Sequence, residues 1–150
     1  MVDKSWFHDE EKQKEIRASP ITATELLCSA TRKLAKLAWS IHNGVLSVIH
    51  ATDVIEDVWN DVAMARVWTN YNNQHHDLLL KMAQNDLTAA HTVLTSLSIL
   101  SVVKLDPSDL DACFGGVMHH LTSTVVNMGY VIIALDNLMM RVADANNYFC

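Results

Sequence analysis

Eight histidines and 17 carboxylates in a chain of 150 residues raise metal binding as the first chemical question. The best ligand-spaced pair is His50-x-x-Asp53, two donors nearly one helical turn apart. Two ligands do not fix a coordination geometry. Di-metal carboxylate bundles need Glu-x-x-His on two helices and further glutamates facing them. No Glu-x-x-His occurs here, and beyond residue 20 the only glutamates are Glu25 and Glu56. The expectation is therefore no resident metal, with His50 and Asp53 as weak candidates. Haem would need an axial ligand. Met118, Met128, Met139 and Met140 carry sulfur, but methionine at helical spacing ordinarily fills core gaps, and no CxxCH attachment motif is present. No cofactor is expected. A bundle that binds a small molecule, haem or metal through its histidines stands as a rival reading.

Covalent and acid–base catalysis fare no better. The chain has no GxSxG elbow, no HExxH, no GxGxxG and no phosphate-cradling glycine loop. Asp109 and Asp111 precede Cys113, and their charge opposes thiolate formation. Glu56-Asp57 and the Asp109/Asp111 pair read as solvated faces and helix-start charges rather than as an acid–base couple. A non-enzyme is expected. Cys28, Cys113 and Cys150 are widely spaced and odd in number, which suits neither a disulfide framework nor a zinc site. The opening MVDKSWFHDEEKQKEIR is charged where a secretory signal would be apolar. Both points favour an intracellular setting. A net charge of −6 argues against nucleic acid, whose phosphates demand a clustered positive surface.

The charges are unevenly placed. Residues 1–20 hold nine of the 28, and this arm carries the adjacent aromatics Trp6 and Phe7. The body, 21–150, is about 15% charged against a usual share of roughly 25%. Three of its windows, 37–52, 87–103 and 112–135, have no formal charge at all. Soluble monomers cover themselves with charged side chains. Either Ser, Thr, Asn and His solvate this body, or another polypeptide covers part of it.

Only four glycines and two prolines punctuate the chain, too few for an all-β fold. Thr22-x-x-Glu25 fits a capping box after the Ser19-Pro20 stop, and Asp106-Pro107 fits a second helix start. His42-Asn43-Gly44, where Asn and Gly tolerate left-handed geometry, and the polar run 70–74 are softer breaks. These marks predict an all-α bundle of about four helices over 22–43, 45–69, 74–104 and 107–144, with a charged N-terminal arm.

Periodicity supports it. Met118, Leu121, Val125, Met128, Ile132, Leu135, Met139 and Val142 follow a 3-4-3-4-3-4-3 spacing, with Phe114 extending the line backwards. Leu27, Ala30, Leu34, Leu37 and Ile41 form an earlier seam. Val48, Ala51, Ile55, Val58, Val62 and Ala65 form the next, and Leu79, Ala83, Ala90, Val93, Leu97 and Leu100 the third. Because the phase carries across the soft breaks, one long helix over 22–104 is an alternative, disfavoured by Asn43-Gly44 and the Asn-rich run. Apolar residues off the seam, among them Ile49 and Ile133, ask for several neighbours. Gly115-Gly116 suggests a close helix approach or a bend.

The functional expectation is a non-catalytic helical interaction or assembly subunit, packing through apolar seams into a homo- or hetero-oligomer. Its interface residues would be Trp6, Phe7, Trp39, Trp59, Trp68, Met118, Leu121, Val125, Met128, Ile132, Leu135 and Met139. Tryptophan is enriched where interfaces concentrate binding energy. The alternative from another class is a membrane-associated or elongated, stalk-like (fusion-type) subunit. Residues 112–135 are long enough to span a hydrocarbon core, though only 125–135 is densely apolar. The favoured partner is protein, not membrane.

Overall fold

A computed structural model describes residues 19–43, 47–100 and 107–149, with side chains described over 19–43, 47–97 and 111–141. The arm with Trp6 and Phe7 lies outside the described residues, as do Gly44, Asp106 and the side chains of Leu100 and Val142. Four helices make up the described chain: α1 Pro20–His42, α2 Val48–Asn72, α3 Gln74–Leu100 and α4 Pro107–Phe149. Each packs on the next, and α4 returns to pack against α1. The breaks are real, so the continuous helix over 22–104 is ruled out.

Local chemistry sets the boundaries. The Ser19 hydroxyl accepts from the Ile21 N–H at 3.3 Å, and Pro20 occupies the first turn, where its fixed φ is already helical. Helix α1 therefore starts two residues before the expected capping box, and Thr22 lies within the helix. Asn43 ends α1 at φ −93° and ψ 6°, not in left-handed geometry, with its N–H and its side-chain amide both donating to the Trp39 carbonyl. Ser47 caps α2 by accepting from the His50 N–H. The expected break after residue 69 falls later, because Asn72 and Gln74 donate to the Trp68 and Asn70 carbonyls and keep the polar run helical.

Asn73 alone separates α2 from α3. Its backbone is extended (φ −155°, ψ 102°) and its N–H donates to the Thr69 carbonyl at 2.7 Å, closing α2. Its carbonyl accepts from the Asp77 N–H and its side-chain oxygen from the His76 N–H, opening α3. One residue thus serves as the last cap of one helix and the first cap of the next. So short a turn makes the two helices antiparallel neighbours.

The core is one column running the length of the bundle. Helices α1 and α2 bury their expected seams: Leu27, Ala30, Leu34 and Leu37 from one, Ala51, Ile55, Val58, Val62 and Ala65 from the other. Ile41 and Val48, at the seam ends, are partly buried. On α3 and α4 the buried face keeps part of the expected seam, Ala83, Ala90 and Leu97 on α3 among it, and spreads to one side of it. Leu80, Leu87 and Leu94 are buried where Leu79 and Val93 are only partly so. On α4, Val117, Thr124 and Val131 join Leu121, Met128 and Leu135 inside, while Met118, Val125 and Ile132 sit at the margin. A single seam suits one partner helix; α4 has two, so its buried face spreads to either side of the Leu121–Met128–Leu135 line.

A Cβ on Gly115 or Gly116 would meet nothing within 4 Å, so this pair permits no close helix approach, and α4 runs through it unbroken. Helix α4 also continues past residue 144 to Phe149. Its 43 residues span about 65 Å, against roughly 35–40 Å for the 23 to 27 residues of the others. Part of α4 has no counterpart of equal length beside it.

Leu87 is fully buried at mid-column. Replacing it by Ala should cost about 2–5 kcal/mol, whereas Ile133→Ala on the outer face should cost well under 1 kcal/mol. Urea unfolding followed by circular dichroism measures both.

Candidate docking surface

Polar clamps join three of the four helix pairs. Between α1 and α2, Lys33 Nζ donates to Asp61 Oδ2 at 2.8 Å. Between α2 and α3, the Arg66 guanidinium grips Asp77 with two bonds, at 3.0 and 3.1 Å, and donates a third to Gln84 Oε1 at 2.7 Å. Thr69 adds its hydroxyl to Asp77 Oδ1 at 3.1 Å. Further along the same pair, His91 Nε2 lies 2.9 Å from Glu56 Oε1. Between α3 and α4, Asp86 faces His120 Nδ1 at 2.8 Å and accepts from the Ser123 hydroxyl at 2.7 Å. Among the described residues no such clamp joins α1 to α4.

An apolar groove of about 240 Å³ occupies that fourth junction instead, lined by Thr31, Leu34, Ala35, Ala38, Met118, Leu121, Thr122, Val125 and Val126. Beside it, on the solvent side of α1, Trp39 is 63% exposed. The outer face of α4 then carries Val126, Tyr130, Ile133 and Met140, each between 49% and 64% exposed. Their 4-3-7 spacing places them in one line, roughly opposite the buried face. Hydroxyls on both helices return to their own backbone: Thr31 to the Leu27 carbonyl, Ser40 to Lys36 and Thr122 to Met118. Donors used this way compete less for water, and the face stays weakly polar.

The expected interface residues are placed unevenly. Trp39 is on the surface. Trp68, Leu121, Met128 and Leu135 are buried within the chain's own core, and Trp59, Met118, Val125 and Ile132 are packed against it. Met139 is partly buried. The 118–139 seam is therefore largely consumed by the bundle itself. The sequence pattern marks Ile133 as off-seam but does not single out the exposed line on α4 to which it belongs. Its repeat at 126, 130, 133 and 140 runs parallel to the buried one and was hidden by it.

The histidines mostly serve the clamps or face solvent. His91 and His120 are half-buried at helix edges, whereas His42, His50, His75 and His119 are exposed. Asp53 is exposed beside His50, and no group of three or more His, Cys, Asp or Glu able to hold a metal occurs among the described residues. His76 is the exception. Its Nδ1 is buried without a hydrogen-bond partner. Burial, with a smaller push from the neighbouring His75, holds its pKa below the ordinary 6.5. Asp61 is shifted the opposite way for a carboxylate: burial raises it above 3.8, outweighing the Lys33 bond that lowers it. The carboxylate of that clamp is the costly member of the pair.

Arg66→Met would strand the Asp77 carboxylate, which is only 10% exposed, and should cost about 2–3 kcal/mol; adding Asp77→Leu should recover most of it. Urea midpoints of the two variants test this. Because folded His76 binds its proton less readily than the unfolded chain, its contribution falls as pH drops through 6.5. Urea midpoints taken from pH 7.5 down to about 5.5 should decline more steeply for the parent than for His76→Gln. No protein-family model, no curated protein and no solved structure matches this chain.

Proposed function

We propose that the chain is a non-catalytic assembly subunit that associates with further copies of itself or with another helical protein through the α1–α4 side. The observation that carries this reading is the exposed apolar line Val126, Tyr130, Ile133 and Met140, whose first three members lie in the charge-free window 112–135. Contiguous exposed apolar surface is costly to leave in water and marks interaction sites. The unclamped α1–α4 groove and Trp39 extend the same side, and an aromatic anchor beside an aliphatic stripe suits the centre of an interface. A stable contact needs about 800 Å² from each partner, which a stripe of this length approaches only if the groove and Trp39 contribute.

A membrane-associated role is the second reading, and one observation favours it. The segment Asp111–Arg141, 31 residues, is long and apolar enough to cross a bilayer. Against it, this same segment supplies Val117, Leu121, Met128, Val131 and Leu135 to the core, and His120 and Ser123 to the clamp on Asp86 of α3.

Light scattering of the full chain should give a mass at least twice 16.8 kDa. The Tyr130→Glu/Ile133→Glu double variant should shift it to a single chain with helicity and thermal midpoint retained, since both residues are exposed. A parent protein that stays a lone chain at high concentration overturns homo-assembly. Release from cell membranes by detergent but not by salt would favour the second reading over the first.

A further inference from the structure

Independently of assembly, we propose that the cleft beside the α2–α3 turn is a binding site for a small carboxylate with an apolar body, held by Arg141. The cleft measures about 490 Å³, within the size range of small-molecule sites, and is lined among others by Trp68, Asn73, His76, Leu135, Asn137 and Arg141. Two of these, Trp68 and Leu135, belong to the core and give the cleft a rigid apolar floor. The other four bring polar groups from the turn, from the first turn of α3 and from α4.

Hydrogen-bond accounting gives the ligand its sign. The Asn73 side-chain oxygen is occupied by the His76 N–H, so what Asn73 has left to offer is its amide N–H₂. Among the described residues, no hydrogen bond or ion pair engages the Asn137 amide or the Arg141 guanidinium. Asp77, the acid nearest in sequence to the turn, is committed to Arg66 and Thr69. Asp136 precedes Arg141 by five residues, about 140° around the helix. Among the described residues no carboxylate pairs with this cation, in a chain whose net charge is −6. His76, whose pKa burial lowers, contributes a polar wall. A carboxylate matches the planar guanidinium fork with two parallel bonds, and the Trp68–Leu135 floor asks for an apolar group behind it.

The test uses the full chain, isotope-labelled, with phenylacetate as probe and phenylacetamide as its neutral counterpart. Phenylacetate should shift the backbone resonances of residues 68–76 and 134–141 saturably, with Kd of about 1 mM or tighter. Arg141→Gln should weaken phenylacetate about tenfold or more, Arg141→Lys should lose less, and phenylacetamide should bind weakly to all three proteins. Arg141 is exposed, so these variants should keep the fold, which circular dichroism checks. The inference is overturned by a lack of saturable shift up to about 20 mM, by equal binding of the neutral amide, or by an unaffected Arg141→Gln. None of these outcomes depends on Tyr130 or Ile133, so the site and the assembly surface stand or fall separately.

Discussion

Leu27, Leu34, Ile55, Leu80, Leu87, Leu94, Leu121, Met128 and Leu135 form the column on which the rest of the molecule depends, each 2% exposed or less. A helix contributes one strip of side chains to such a column, and alanines at 30, 51, 65, 83 and 90 let backbones approach between the larger residues. Burial of this kind is non-directional. It would tolerate helices sliding past one another by a turn, so register has to come from elsewhere.

Register comes from the clamps. A chain with few ionised side chains in its body spends several of them between helices: Lys33–Asp61, Glu56–His91, Arg66–Asp77 and Asp86–His120. The fork of Arg66 on Asp77, completed by Thr69 and Gln84, is the most highly bonded of these and lies close to the one-residue turn at Asn73. Directional bonds with partly buried partners penalise a wrong alignment, because a displaced helix would leave a carboxylate or guanidinium unpaired. The raised pKa of Asp61 shows the cost of this arrangement even where the partner is present.

The junction of α1 with α4 departs from that plan. It closes the ring of helices without a clamp among the described residues, and apolar side chains line a groove there. The same α4 turns Tyr130, Ile133 and Met140 outward. Charge placed between α1, α2 and α3 is charge withheld from the α4 surface, so the scarcity of ionised residues and the exposed apolar line are two aspects of one allocation. Asn73, His76 and Arg141 gather at the end of the molecule where the turn meets α4.

Several features were legible in the residue order. The helical class, the count of helices and the breaks near 43 and 73 follow from periodicity and punctuation, which act over a few residues and need no tertiary partner. The seams of α1 and α2 were readable for the same reason. Those of α3 and α4 were readable only to within part of a turn, since a one-residue rotation hardly changes the repeat and is decided by how many neighbours the helix has. Sequence spacing could show that His120 and Asp86 were polar within apolar surroundings. It could not show that they meet, 34 positions apart, because that pairing depends on the antiparallel return of α4 along α3. Nor could it tell the buried apolar line of α4 from the exposed one. Both repeat every three or four residues, and only the packed bundle determines which of the two faces water.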